Sequence, residues 1–112
     1  MQQENHRTNN ITIEMFQDII SNIDLTIFYL YADWCEICNK INKDFKELMR
    51  DYNSNDSKLL LVPENIDNSI FKQYTEFNVE VVPTFLLFKK GNTKPFQKIE
   101  GDISKVKKIL LK

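Results

Sequence analysis

Apolar positions in this chain follow two rhythms, and the changes of rhythm mark its elements. Phe16, Ile19, Ile20 and Ile23 stand at i, i+3, i+4 and i+7. That is one face of a helix, predicted over 13–22. Asn22 and Asp24 end it. Residues 25–31, Leu-Thr-Ile-Phe-Tyr-Leu-Tyr, are β-branched and aromatic on both faces, the pattern of a central strand covered on both sides. From Cys35 the period becomes 3.6: Ile37, Ile41, Phe45, Leu48 and Tyr52 form one stripe, a long helix ending near Asn53. Further on, 58–62 reads as a second buried strand stopped by Pro63, 68–75 as a short helix and 78–82 as an extended approach to Pro83. Residues 84–88 read as a third strand, 89–92 as a hairpin turn, 96–100 as its return strand and 103–111 as a last helix. Residues 11–13 predict a short edge strand ahead of the first helix. The order β-α-β-α-β-α-β-β-α implies an α/β fold, a mixed sheet with helices on both faces.

Length and charge narrow the class. A chain of 112 residues is one domain, large enough to build a core without staples. A polar tail over 1–10, expected to fray, precedes a single domain over 11–112. With 42% hydrophobic and 12% aromatic residues, global disorder is excluded. Two cysteines are too few for a disulfide framework. Fifteen basic and sixteen acidic residues leave a net charge of −1, so bulk charge makes no case for nucleic acid. No apolar run approaches the ~20 residues of a membrane helix, and the first ten residues hold no apolar signal region. A cytoplasmic monomer without membrane attachment is expected.

Composition adds a filter. Asn, Ile and Lys supply 38 residues, against one Ala, two Gly and three Pro. The first group has A/T-rich codons and the second G/C-rich ones, which points to an AT-rich coding sequence. On that reading an Asn or Lys carries little information. A surviving Ala, Gly or Pro has a physical reason.

The chemistry centres on Cys35-Glu36-Ile37-Cys38, where the central strand gives way to the long helix. A spacing of three places both side chains on one face of the first turn, within disulfide reach. Unpaired N–H groups and the positive end of the helix dipole favour thiolate at Cys35, and Cys38 is placed to attack a mixed disulfide formed there. A zinc site needs about four ligands, and a Cys–His nucleophile needs a base. The chain offers only His6, in the polar tail, beyond its two cysteines. No metal is expected. Inert buried thiols fit poorly beside Asp33, Trp34 and Glu36. Thiol–disulfide chemistry fits best.

Four stretches resemble the thioredoxin family. They are Tyr31-Ala32-Asp33-Trp34-Cys35-Glu36-Ile37-Cys38, Val82-Pro83-Thr84-Phe85, Phe88-Lys89-Lys90-Gly91, and Gly101. The likeness runs from about residue 11 to the end. It implies a five-stranded mixed sheet flanked by four helices, with Cys35 as exposed attacking thiol and Cys38 as resolving thiol. It implies that Pro83 is a cis-proline against the disulfide, and that neighbouring backbone such as Val82 pairs with an extended substrate. Trp34 is then a contact surface over the dithiol or a half-buried packing aromatic. Gly101 is a close backbone approach beside the dithiol. The resemblance implies no bound cofactor. It implies disulfide-containing proteins as partners and an external donor, a thioredoxin-reductase-like protein or another thiol.

Two departures qualify this. Many members carry a buried aspartate and a lysine partner where this chain has Tyr29 and Pro63. Tyrosine is a poor base near neutral pH. Glu64 is the nearby acid, and it stands in for that aspartate only if it points inward. Glu36-Ile37 replaces the familiar Gly-Pro, and Asp33 and Glu36 bring negative charge that disfavours a Cys35 thiolate. With Glu64, Glu100 and Asp102 they suggest an acidic rim that attracts basic substrate segments. The leading reading is a thiol–disulfide oxidoreductase reducing or exchanging protein disulfides. The alternative is a thioredoxin-fold interaction module with little turnover. Residues 30–35 also resemble the C-terminal domain of bacterial transmembrane thiol–disulfide interchange proteins, and protein disulfide isomerases share the fold.

Overall fold

The computed structural model describes residues 10–54 and 56–111. The expected tail over 1–10, with His6, lies outside these residues except for Asn10. Helix α1 is Ile13–Asn22, strand β1 Leu25–Tyr31, helix α2 Glu36–Tyr52 and strand β2 Leu59–Asn65. Helix α3, Ile70–Gln73, is followed by a 3-10 turn over Thr75–Phe77. Strands β3, Thr84–Lys89, and β4, Gln97–Glu100, form the terminal hairpin before α4, Ile103–Leu110. The strands lie in the order β2-β1-β3-β4. β1 is parallel to β2 and antiparallel to β3, and β3 is antiparallel to β4.

Burial follows from the apolar pattern. β1 is central, and Thr26 to Leu30 are buried on both faces. One core holds Phe16 and Ile20 of α1 with Phe28, Leu30, Phe71, Phe77 and Phe88. The other holds Ile41, Phe45 and Leu48 of α2 and Val106 of α4 with Ile27, Tyr29, Phe85 and Leu87. Helices therefore cover both faces, as a sheet apolar on both sides requires.

The architecture is the expected α/β fold with four helices, but the sheet has four strands among the described residues rather than five. The edge strand expected over 11–13 does not form. The Ile11 N–H is spent on the Glu64 carboxylate at 3.2 Å, and Thr12 caps α1 by accepting from Met15 N. Residues committed to a side-chain partner and an N-cap leave no ladder to extend. Asn10 itself is tied down by bonds to Asn65 and Asp67.

β2 does not stop at Pro63 but runs to Asn65. It is an edge strand, and Pro63 faces away from β1, so its missing N–H costs no ladder bond. The helix expected over 68–75 is shorter because Asn68 has φ +68°. The helix starts only after Ser69, whose hydroxyl accepts from Phe71 N.

Candidate active site

Two chain reversals build the site. At the first, β1 ends, Ala32 is buried beneath the turn, and α2 begins. Cys35 is the N-cap of α2, not its first residue. Its sulfur takes the place of a capping oxygen and accepts from Cys38 N at 3.1 Å. Cys35 and Cys38 form a disulfide, with their Cα atoms 5.2 Å apart. In the reduced state the same N–H and the helix dipole bear on the Cys35 sulfur and favour its thiolate.

At the second reversal, the Val82–Pro83 peptide bond is cis. It presents the Val82 carbonyl 3.9 Å from Cys35 Sγ. Gly101, at φ +77°, donates its N–H to Pro83 O at 2.9 Å, joining the start of α4 to this loop. Nothing lies within 4 Å of where a Gly101 Cβ would sit. Glycine is therefore favoured by its left-handed backbone, and crowding beside the dithiol, the expected reason, is not the cause.

The expected site residues gather here. Cys38 is fully buried and Cys35 is 7% exposed. Cys35 is thus less open than expected, its sulfur serving as the helix cap. The exposed surface around it is apolar: Trp34 at 70%, Ile37 at 56% and Val81 at 49%. Trp34 is exposed, not a half-buried packing ring. A groove of about 140 Å³ runs beside it, lined by Trp34, Ile66, Val79, Glu80, Val81 and Val82, with Asp67 and Lys72 completing the wall. Asp33 and Glu36 are exposed on either side of the Trp34–Cys35 turn. Glu80 and Val81 escaped the sequence reading; their signal was the loop approaching Pro83.

Behind the dithiol, Tyr29 is buried. Its hydroxyl lies 2.7 Å from Asn42 Oδ1 and 3.1 Å from Cys38 O, so one proton serves two acceptors. Burial, and secondarily Tyr31, hold this phenol far above its ordinary pKa. Tyr29 is therefore a neutral anchor for the first turn of α2. Asn42, one turn beyond Cys38, was not singled out from sequence. A second groove, about 370 Å³, opens outside this anchor between Tyr29, Tyr31, Asp33, Asn42, Lys46 and Pro63.

Glu64 points inward, but to the opposite face of the sheet from Tyr29. Leu30 is its partner across the strands, and its oxygens accept from Ile11 N and Ser69 Oγ. Burial pushes its carboxyl up to about 7 against the lowering effect of those two bonds. It belongs to no acidic rim, and its hydrogen bonds run to Ile11 and Ser69. Among the described residues no cluster of three or more His, Cys, Asp or Glu side chains is placed to hold a metal ion. No helix among them is long and apolar enough to cross a membrane.

Comparison with known proteins agrees with this geometry. A thioredoxin-like chloroplastic protein of Arabidopsis thaliana is 34% identical over 79 residues, 69% of this chain and 29% of that protein. A probable protein disulfide-isomerase A4 of Caenorhabditis elegans is 30% identical over 82 residues, 72% of this chain and 13% of that protein. The matched stretch thus spans less than a third of either relative. The thioredoxin of Plasmodium falciparum superposes with a TM-score of 0.70 at 23% identity, covering 88% of this chain and 90% of that one, a likeness of fold. The sequence profile of the thioredoxin family matches residues 7–111. With its close-spaced cysteine pair at a strand-to-helix junction, the chain belongs to the thioredoxin family, whose common chemistry is thiol–disulfide exchange.

Proposed function

We propose that this protein reduces or exchanges disulfides in other proteins through Cys35 and Cys38. The observation that carries the reading is the Cys35 sulfur at the N-cap of α2, hydrogen-bonded by Cys38 N and set beside the Val82–Pro83 loop and an apolar groove. In the reduced protein, the Cys35 thiolate attacks one sulfur of a substrate disulfide, and the other sulfur leaves as a thiolate. Cys38, deprotonated, then attacks Cys35 Sγ and releases the second substrate thiolate. The substrate gains two electrons, and the protein is left with the Cys35/Cys38 disulfide. A dithiol donor, a reductase or small thiol, returns it to the reduced state; no bound cofactor enters these steps. Trp34 and the groove accept an extended substrate segment, whose backbone pairs with that of Val82. Exposed Asp33, Glu36 and Glu80 favour segments with basic residues.

Cys38→Ser, presented with a disulfide substrate, is expected to stop at a stable mixed disulfide on Cys35. Mass spectrometry of the trapped species checks this; folded protein that traps nothing would refute the reading. The second reading, an interaction module, is favoured by neutral Tyr29 and Pro63 at the positions where many members keep an acid and a lysine. Insulin reduction separates the two: folded protein no faster than dithiol donor alone supports the module.

A further inference from the structure

Among the described residues, the outer side of β2 is one of the two flanks of the four-stranded sheet. An open flank is a row of backbone N–H and C=O groups ready to pair with another chain. Leu25 N bonds to Lys58 O and Ile66 N to Tyr31 O. In a parallel ladder successive residues alternate direction, so the even-numbered residues of β2 face β1. Leu59, Leu61, Pro63 and Asn65 therefore face outward.

Three of these four positions are closed, each differently. At Leu61, the Asn53 side-chain amide imitates a neighbouring strand: Nδ2 donates to Leu61 O at 3.0 Å, and Leu61 N donates to Asn53 Oδ1 at 2.8 Å. At Asn65, the Asn10 amide makes the same two-bond pairing, Nδ2 to Asn65 O at 2.9 Å and Asn65 N to Oδ1 at 3.1 Å. Between them Pro63 has no N–H to offer. Among the described residues only Leu59 and the Pro63 carbonyl keep outward groups without a partner. The Leu59 pair and the lone Pro63 carbonyl are separated by the clip at Leu61 and cannot form a continuous ladder.

We infer that Asn53, Pro63 and Asn10 form an edge guard that keeps β2 from pairing with β2 of a second copy of this chain. The guard answers a specific hazard. Leu-Leu-Leu-Val at 59–62 is a short, uncharged, β-prone run, the composition that adds strands to itself when its edge is open. The clips are reversible side-chain bonds, but each satisfies both outward groups of its residue. An incoming strand must break two bonds to make two, and finds no donor at Pro63.

The double variant Asn53→Ala/Pro63→Val removes one clip and supplies the missing N–H. It is expected to associate with rising concentration in sedimentation velocity, with hydrogen exchange slowed at least tenfold at amides 61 and 63 in the associated form. The wild type is expected to show no association through this edge. Val106→Ala, which opens a cavity in the other core, serves as a destabilised control with its edge intact. Association of the control equal to that of the double variant would assign the effect to lost stability and overturn the guard. So would a folded double variant that stays monomeric, or one whose amides 61 and 63 stay unprotected on association. Asn53→Ala alone, circular dichroism confirming its fold, gives the same test at amide 61 should the double variant fail to fold.

Discussion

At the scale of single residues, opposing fields meet at the Cys35 sulfur. The Cys38 N–H at 3.1 Å and the start of a 17-residue helix favour the thiolate. Asp33 and Glu36, both exposed, oppose it, but solvent screens them, so their effect is modest. Glu36→Gln is therefore expected to lower the Cys35 pKa, read from the pH dependence of iodoacetamide alkylation. A rise would refute the charge account. The cysteine pair was legible in sequence, because its spacing of three falls where the apolar period changes from that of a strand to that of a helix. The asparagines were not. Composition suggested that Asn carries little information here, yet Asn10, Asn42 and Asn53 each satisfy buried or edge groups. Their partners lie 55, 13 and 8 residues away. No local pattern announces a bond between residues that only the fold brings together.

At the scale of elements, periodicity located α1 and β1 to the residue, because one has a single apolar stripe and the other is apolar on both faces. It erred where a side chain outbids the local pattern. Pro63 reads as a stop, but on an outward edge position it is tolerated. Residues 11–13 read as a strand, but the Ile11 N–H goes to Glu64. That carboxylate joins three elements: the lead-in to α1 through Ile11, β2 through its own backbone, and the cap of α3 through Ser69 Oγ at 3.1 Å. Burial holds its pKa near 7, above the 4.5 of a free carboxyl. The native state therefore binds a proton over a window where the unfolded chain does not. Its contribution is full below about pH 4.5 and is lost as pH rises through 7. The loss is at most about 3 kcal/mol. Glu64→Gln cannot ionise, so the wild type is expected to lose about 1–3 kcal/mol relative to this variant between pH 4.5 and 8. Urea melts at both pH values check it. Parallel curves for the two proteins would mean that Glu64 is not the titrating group.

At the scale of the whole molecule, a net charge of −1 conceals an uneven surface. Lys72 sits 4.0 Å from Asp67, which lines the groove, and Lys98 3.8 Å from Glu100, which mutes both acids. Glu64 is buried and does not face solvent. What remains around the dithiol is Asp33, Glu36 and Glu80. Asp102 adds to them from beside Gly101: hydrogen bonds from the Ser104 hydroxyl and N–H hold its carboxyl below the usual range. Asp33 and Glu36 flank Trp34 and Ile37 in sequence, and Glu80 flanks Val81; Trp34, Ile37 and Val81 form the exposed apolar surface. On the proposed function the patch supplies affinity without regard to charge, whereas the acids act over a Debye length of ~10 Å at 0.1 M salt. Charge should therefore alter encounter rate more than bound-state affinity. Two disulfide peptides identical but for lysine or glutamate flanks test this. At ~20 mM salt the reduced protein is expected to react several-fold faster with the basic peptide, and at ~0.5 M the two rates should converge. The double variant Glu36→Gln/Glu80→Gln should narrow the low-salt gap while leaving the high-salt rates alike. Equal low-salt rates for the two peptides would show that local contact at the apolar patch, and not the field of the acids, sets encounter.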